Sequence, residues 1–288
     1  MNGKTVLSIQ SRVAYGHVGN AAAQFTLQRL GHSVWPVETA YLSNHLGHPT
    51  WRGRFPESAE VAEVVQGLHE LGVLSRCDAV LSGYLGSRGN GRTVAAAVAA
   101  VREANPDAVY ACDPVMGDRG IGLFVGEDVP AVFAETLLPL ADLAFPNAFE
   151  LEYLTGVGTG TLAGALDAAS QLLGTMCAGA TVVVTSLLRD DAAAGEIETL
   201  AVSAAGAWLV ATPRYDAPPH GAGDCFAALF LGHQLCGHGI EEALGLAATA
   251  IHGVVAASAA AGTDELLLVP SQDLLDPGGA DFTPQRVR

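Results

Sequence analysis

The architecture of this chain is clearest in residues 79–113, AVLSGYLGSRGNGRTVAAAVAAVREANPDAVYACD. Two short apolar runs, 79–82 and 109–113, flank a segment at 91–104 whose apolar residues recur with the period of a helix. A strand, a helix and a second strand in this order form a βαβ unit, which places both strands parallel in one sheet. The stretch therefore predicts an α/β protein with a parallel sheet.

The same alternation continues on both sides of this unit. Further strands are predicted at 5–10, 34–40, 143–146 and 181–186, and further helices at 19–30, 58–71, 129–138, 147–155 and 162–177. Residues 197–202 and 207–212 flank a short turn and predict an antiparallel hairpin at the edge of the sheet. We predict one three-layer domain over residues 1–288, with helices on both faces of the sheet and residues 265–288 as a peripheral tail.

Composition excludes several classes of function. The 288 residues are 50% apolar and carry 14 basic and 30 acidic side chains, a net charge of −16. A nucleic-acid or anionic membrane surface needs clustered basic residues, so neither partner is expected. The single lysine, Lys4, excludes a Schiff-base or phosphate-binding lysine elsewhere. The five cysteines are widely spaced and predict neither disulfides nor a zinc site.

Residues 243–263 contain no Asp, Glu, Lys or Arg and are long enough to be considered as a membrane span. They are rich in Ala and Gly, however, and acidic residues flank them where Lys or Arg would be typical. We predict a buried helix here and a cytoplasmic protein.

The strongest local motif is Gly221-Ala222-Gly223-Asp224. Glycines allow a sharp turn that points successive amides into one concavity, and the following helix adds its own free N–H groups, so an anion can bind without a lysine. Asp224 has two interpretations: a helix N-cap, or a general base beside the anion site. The tetrapeptide alone favours the N-cap.

Acidic residues also stand near the ends of two predicted strands. Asp113 ends one strand, and Glu150 lies just after the next, close to Asn147. Each position is consistent with ordinary turn and cap chemistry. Because ligands bind at the carboxyl ends of parallel strands, the two acids are also candidates to hold hydrated Mg²⁺, and the glycine turn strengthens this second interpretation.

Two histidine-containing pairs, His45 with His48 and Cys236 with His238, have spacings that metal ligands also use. No partner cluster lies near either pair in the sequence. We therefore predict solvated or core side chains at these positions.

Several motifs in register resemble the pyridoxal kinases. They are LSIQSRV at 7–13, YGHVGN at 15–20, LSNH at 42–45, VLSGY at 80–84, CDPVMGD at 112–118, Pro146-Asn147 with Glu150, and the glycine turn. The resemblance spans roughly residues 5 to 262. It implies a ribokinase-like α/β sandwich without a separate lid domain, usually a homodimer.

The resemblance also implies roles for individual residues. Ser11 would bind the pyridine ring, Tyr84 and Val18 would line its pocket, and the loop of His45, Leu46 and Gly47 would close over it. Asp224 would deprotonate the 5′-hydroxymethyl group while the amides of Gly221, Ala222 and Gly223 stabilise the transferred phosphoryl. The ATP side would comprise Asp113, Asp118, Asn147, Glu150, Thr185, Ser186, Thr212, Pro213, Arg214 and Tyr215, with Asp113 and Glu150 at Mg²⁺. A monovalent cation is left open.

The expected reaction is ATP-dependent phosphorylation of the 5′-hydroxyl of pyridoxal, with pyridoxine and pyridoxamine as further substrates, in vitamin B6 salvage. Leu46 stands where the family usually has Thr, which predicts weaker or altered substrate binding because a hydroxyl is lost. Thr185 stands where some relatives have Lys, and leaves Arg119 or Arg214 to contact ATP. Two alternatives stay open: a hydroxymethylpyrimidine-type kinase, and a weakly catalytic pyridoxal-binding protein.

Overall fold

The computed structural model describes residues 3–216 and 218–288, which form a central sheet between two layers of helices. The strands are β1 Thr5–Val13, β2 Ser33–Leu42, β3 Gly53–Arg54, β4 Ala79–Ser82, β5 Val109–Cys112, β6 Gly117–Asp118, β7 Gly122–Leu123, β8 Leu143–Ala144, β9 Thr181–Leu187, β10 Glu196–Ser203, β11 Gly206–Pro213 and β12 Gln285–Arg286. The α-helices are α1 Asn20–Arg29, α2 Ser58–Glu70, α3 Arg88–Ala104, α4 Val129–Val132, α5 Ala148–Thr155, α6 Leu162–Leu173, α7 Ala222–Leu235 and α8 Ile240–Ala260.

The main sheet has ten strands in the order β12-β11-β10-β9-β8-β5-β4-β1-β2-β3. Its centre is parallel from β2 to β9, because each of these strands returns through a helical crossover. The predicted hairpin is confirmed as β10 and β11, which pair antiparallel at one side of the sheet. The predicted α/β sandwich with an antiparallel edge hairpin is therefore confirmed.

Alternating residues of the strands feed two separate cores. In β4, for example, Val80 belongs to the core that also contains residues of α2, α3 and α6, while Leu81 belongs to the core on the other face, with residues of α1, α7 and α8. A strand buried on both faces needs a continuous apolar run instead of an alternating pattern, and this is the composition of residues 79–82.

Helix α8 coincides with the uncharged stretch of the sequence. Among the described residues it is the one helix long and apolar enough to cross a membrane, and 56% of its most apolar window is buried inside the protein. Ala243, Leu244 and Ala247 are fully buried in the core that α8 shares with α7. The predicted buried helix is present.

Two segments differ in detail from the sequence-based expectations. The α-helix predicted at 129–138 covers only Val129–Val132, and a π-helical turn over Phe133–Leu137 and a 3₁₀ turn over Leu138–Leu140 follow it. Pro139 has no N–H to continue an α-helix. Residues 265–288, expected at the periphery, contribute the fully buried Leu266, Leu268 and Leu275 to the core. They also supply the edge strand β12.

Candidate active site

One edge of the sheet gathers most of the candidate residues. The six neighbouring strands β2, β1, β4, β5, β8 and β9 are parallel. Strand β11 runs in the same direction as β9, because each of them pairs antiparallel with β10. The carboxyl ends of β5, β8, β9 and β11 therefore share an edge. Asp113, Asn147, Thr185 and Arg214 lie at these ends, where open α/β sheets bind ligands.

The glycine turn forms the start of α7. Gly221 caps the helix with φ 89°, in the left-handed region, and a Cβ at this position would collide with the His17 carbonyl oxygen. Only glycine satisfies both conditions. Asp224 is the third residue of the helix and provides no side-chain cap. The N-cap interpretation of Asp224 is therefore wrong, because Gly221 occupies that position.

The Asp224 carboxylate faces the loop that follows β1. It accepts a backbone hydrogen bond from Gly19, and burial raises its pKa to about 6 against the weaker opposing effect of that bond. The amides of Ala222, Gly223 and Asp224 belong to the first turn of α7, where helix geometry provides no intrahelical acceptor. A half-buried carboxylate and a set of free amides therefore occupy the same helix terminus.

Asp113 lies close to this carboxylate. Its side chain is buried, and its pKa is raised well above the usual range by burial first, then by the like charges of Glu150 and Asp224. No cation or hydrogen-bond donor offsets these causes among the residues the structure describes. Asp113, which directly follows β5, thus lies within electrostatic reach of both Glu150 in α5 and Asp224 in α7.

Glu150 is held by backbone amides. Its Oε1 accepts from Met116 N at 2.8 Å, and its Oε2 accepts from Asn147 N at 2.9 Å, while the Asn147 side chain caps the same helix. Burial raises the pKa of Glu150 to about 8, although these amides act in the opposite direction. Both oxygens are therefore engaged, and the capping interpretation of Asn147 and Glu150 describes the local structure.

A hydrated divalent cation fits this set of groups. Carboxylate oxygens are the ligands that Mg²⁺ prefers, and Mg²⁺ usually keeps several waters and takes one or two carboxylates. Burial is the main cause of the raised pKa values of Asp113, Glu150 and Asp224, and like charges add to it at Asp113 and Glu150. A bound cation would offset both effects by stabilising the ionised carboxylates. Asp113 is the candidate for direct contact with the cation. Both oxygens of Glu150 already accept from backbone amides, so Glu150 would contact the cation through a water molecule.

The residues predicted to hold the substrate ring gather beside Asp224. Val18 and Tyr84 both pack against a small apolar cluster formed by Val13, Ala40 and Leu42. Ser11 is buried in β1, and a Cβ on Gly19 would lie 2.6 Å from its Oγ. Ser11 and Asp224 therefore both lie beside Gly19.

The loop of residues 43–52 adjoins the same region. His45 is buried, whereas Leu46 is 37% exposed and Gly47 is exposed. His48 Nε2 lies 2.8 Å from Glu265 Oε1, and His45 Nε2 lies 3.2 Å from the same oxygen. His45 is thus a core side chain, as one of the two expectations had it, and the histidine pair has a carboxylate partner that comes from a segment distant in sequence.

The nucleotide-side predictions divide into two groups. Thr185 forms a parallel bridge with Asn147, and Ser186 follows with φ 53°, an unusual left-handed conformation for a residue other than glycine. Asp118 lies in the small hairpin of β6 and β7, which is joined to α5 by a hydrogen bond from Asn147 Nδ2 to the Gly117 carbonyl.

The second group follows β11. Thr212 and Pro213 end this strand, Arg214 is exposed, and the Tyr215 ring centroid lies 6.1 Å from that of His252 in α8. Of the two arginines considered as replacements for a lysine, Arg119 pairs with Glu152 at 3.2 Å.

Sequence reasoning overlooked two residues of this region. Gly19 stands within the quoted YGHVGN motif, but its amide contact to Asp224 depends on how the loop after β1 meets α7. Glu265 lies 217 positions from His48, and no local pattern connects them. Only the packing of the chain end against the sheet edge brings Glu265 to the histidines.

Comparisons with known proteins agree with a kinase site at this edge of the sheet. The family model described as Phosphomethylpyrimidine kinase matches residues 63–267, which places the fold and site in a class of small-molecule kinases. The chain is 50% identical to pyridoxal kinase PdxY of Rubrobacter xylanophilus, covering 99% of this chain and 98% of the relative. It is 48% identical to pyridoxal kinase PdxY of Deinococcus radiodurans, covering 99% and 97%.

A solved structure agrees. Pyridoxal kinase from Leishmania donovani in complex with ADP and pyridoxine superposes with a TM-score of 0.89 and 34% identity, covering 98% of this chain and 99% of the other. The chain therefore belongs to the pyridoxal kinase family, and the predicted resemblance is confirmed.

Proposed function

We propose that this protein transfers the γ-phosphoryl group of ATP to the 5′-hydroxyl of pyridoxal, forming pyridoxal 5′-phosphate in vitamin B6 salvage. One observation carries the proposal. The Asp224 carboxylate lies at the first turn of α7, beside free amides and within electrostatic reach of the buried Asp113. The names of the relatives and the ADP complex of a similar structure support the same reaction.

Phosphoryl transfer needs positioning and charge stabilisation more than covalent chemistry by the protein. Asp224 would take the proton of the substrate hydroxyl, and its pKa of about 6 leaves it mostly ionised near neutral pH. The first-turn amides of α7 would donate to the transferred phosphoryl oxygens. Bound Mg²⁺ would neutralise phosphate charge, held on the Asp113 side of the site.

We further propose Mg²⁺ as the divalent ion, because the candidate ligands, Asp113 and Glu150, offer carboxylate oxygens, which suit Mg²⁺ better than softer metals. Ser11, Val18, Tyr84 and the loop of His45 are proposed to hold the vitamin. The nucleotide is proposed to lie along the ends of β8, β9 and β11.

Three properties are proposed from the family resemblance. They are a single catalytic domain over the whole chain, a homodimer, and a cytoplasmic location. Light scattering of the purified protein tests the dimer, and fractionation of cells tests the location. Titration with K⁺ and Na⁺ tests the monovalent cation.

The direct test measures ADP release with pyridoxal, pyridoxine, pyridoxamine and hydroxymethylpyrimidine as acceptors. We expect ADP release that depends on a B6 vitamer and yields the 5′-phosphate. ADP release without acceptor dependence, or tight pyridoxal binding without turnover, would identify a nucleotide hydrolase or a binding protein and would contradict the proposal.

The pyrimidine alcohol remains the second candidate substrate. The family model that matches residues 63–267 bears the name of that activity, and Leu46 removes a hydroxyl the B6 kinases usually have. A higher kcat/KM for the pyrimidine alcohol than for each of the three vitamers would favour this candidate.

A further inference from the structure

Three side chains with metal-ligating atoms meet where the loop of residues 43–52 adjoins the segment after α8, and the ring of His220 lies beside them, 4.0 Å from that of His45 between centroids. We call these three side chains the His45–His48–Glu265 cluster. His48 Nε2 and His45 Nε2 lie 2.8 and 3.2 Å from a single oxygen, Oε1 of Glu265. The three ligand-capable atoms all lie within 4.8 Å of one another.

Two atoms of this cluster are buried without hydrogen-bond partners. They are Nε2 of His45 and Oε2 of Glu265, whose side chains are 8% and 7% exposed. Buried polar atoms in native proteins are nearly always satisfied, and an unsatisfied pair often marks a missing water or ion. Both imidazoles approach the same oxygen, Glu265 Oε1, so Glu265 Oε2 is left without a hydrogen-bond donor.

Two imidazole nitrogens and one carboxylate are a ligand set typical of zinc. Sites with three protein ligands leave a fourth position for water, and tetrahedral coordination at about 2.0–2.2 Å separates neighbouring ligand atoms by about 3.3 Å. The 3.2 Å separation of His45 Nε2 from Glu265 Oε1 is close to that value, and the 2.8 Å separation of His48 Nε2 from the same oxygen would lengthen by about 0.5 Å on metal binding. The magnesium-type acids Asp113 and Glu150 differ from this cluster in both chemistry and position.

We propose that the His45–His48–Glu265 cluster is a second metal site, which binds Zn²⁺ or a cation of similar softness and is separate from the ATP-linked divalent ion. Its ligands join the loop of residues 43–52 to the chain that follows α8. A bound cation would therefore hold this loop in place over the proposed substrate pocket.

Metal binding has a consequence for the position of one proton. Gly47 N donates to His45 Nδ1 at 3.1 Å, so the proton of a neutral His45 ring lies on Nε2 when no metal is bound. Coordination through Nε2 moves this proton to Nδ1 and ends the Gly47 hydrogen bond. The loop backbone around Gly47 is expected to shift, and the His45 tautomer is expected to change.

The test is a calorimetric titration of the metal-free full-length protein with ZnCl₂, in the absence of nucleotide and pyridoxal. We expect one site per chain. His48→Gln and Glu265→Gln should each raise the dissociation constant for Zn²⁺ by more than about tenfold. Loss of a hydrogen-bond partner outside the coordination sphere already lowers metal affinity about 10–100-fold, and loss of a ligand should cost at least as much. Because turnover is not measured, failure of this test leaves the proposed kinase activity untouched.

The matched controls are His69→Gln and Glu70→Gln, which change an exposed histidine and an exposed carboxylate at the end of α2. They should bind Zn²⁺ as the unaltered protein does. Thermal melts and circular dichroism of each variant establish that it folds. If Glu265→Gln does not fold, His48→Gln, at a 24% exposed side chain, carries the test.

Imidazole ¹⁵N resonances of the unaltered protein provide a second readout. We expect the His45 signal to change from the Nε2–H to the Nδ1–H tautomer on addition of ZnCl₂. Absence of stoichiometric binding, or equal binding by the cluster variants and their controls, would overturn the proposal. The cluster would then be a hydrogen-bonded contact between loop and core.

Discussion

Asp224 combines two properties of a general base: a raised pKa and a position at a helix start with free amides. Replacing it with Asn keeps the shape but removes the proton acceptor. We expect Asp224→Asn to lower kcat by about 10²–10⁴-fold while the dissociation constants of pyridoxal and ATP change little. Asp107→Asn, an exposed carboxylate before β5, is the control and should keep full turnover. Unchanged kcat in Asp224→Asn would remove Asp224 from this role.

The same residue predicts a pH dependence. Burial raises the pKa of Asp224 to about 6, and a base must be ionised to accept a proton. The value of kcat/KM should therefore be full at pH values well above 6, fall to about half near pH 6 and decline further below it. Initial rates at low substrate concentration measure this profile. A rate that stays constant down to about pH 5 would show that no group with this pKa controls the reaction.

Leu46 is a second residue with a testable consequence. Its side chain is 37% exposed in the loop beside His45, at the position where the family usually has a hydroxyl. A net hydrogen bond contributes about 0.5–1.5 kcal/mol, so Leu46→Thr should lower KM for pyridoxal about two- to tenfold with little change in kcat. Leu71→Thr, at an exposed residue after α2, serves as the control. An unchanged KM would mean that Leu46 does not contact the vitamin.

At the scale of elements, the start of α7 contains two glycines that differ in backbone conformation and in the room left for a side chain. Gly221 has φ 89° and no room for a Cβ, whereas Gly223 is helical and has nothing within 4 Å of an added Cβ. Gly221→Ala should destabilise the fold by about 1–3 kcal/mol through backbone strain, seen as a lower Tm.

Gly223→Ala should instead keep or raise the Tm, because alanine is favoured over glycine within helices by about 0.5–1 kcal/mol. Its methyl group would occupy the open space beside the first-turn amides, so KM for ATP should rise. Equal Tm values for the two variants would contradict the structural distinction. An unchanged KM for ATP in Gly223→Ala would place the phosphates elsewhere.

At the scale of the whole molecule, β5, α5 and α7 bring three carboxylates together. Burial raises the pKa of Glu150 to about 8 and that of Asp113 well above its usual range. A carboxyl group with a raised folded-state pKa stabilises the fold fully below its unfolded pKa, and this stability is lost as the pH rises through the folded pKa. The metal-free protein should therefore have a lower Tm at about pH 9 than at about pH 7.

Mg²⁺ should reverse this loss, because the ionised carboxylates bind the cation and the neutral ones do not. The increase in Tm on adding MgCl₂ should be larger at the higher pH. Differential scanning calorimetry measures both effects, and Glu150→Gln should reduce the pH dependence. Equal Mg²⁺ effects at the two pH values would argue against a cation at these acids.

Much of this molecule could be predicted from local sequence. The apolar runs and helical periods correctly predict the strand and helix order, because each element is buried on defined faces whatever its neighbours are. Local sequence also predicts Asp113, Glu150 and Asp224 as candidate site residues, because they stand beside strand ends or a glycine turn. The sequence around Asp224 favours an N-cap, since Asp is common at that position, and only the structure shows that Gly221 is the N-cap and Asp224 the third residue of α7.

Other features depend on contacts between distant segments. Glu265 reaches His45 and His48 because the segment after α8 folds against the loop of residues 43–52, and Leu266 and Leu268 are buried there. Gly19 meets Asp224 because the loop after β1 approaches the start of α7. Hydrophobic periodicity carries no information about such pairs, since burial constrains the polarity of a residue and not the identity of its neighbour.

The amino-acid order alone established the α/β class, the succession of elements and the family, because periodicity, turn residues and short motifs are local properties of the chain. The three-dimensional arrangement established the electrostatic coupling of three acids and the junction of two histidines with Glu265. These properties arise from charge and distance, and distances between residues far apart in sequence exist only after the chain has folded.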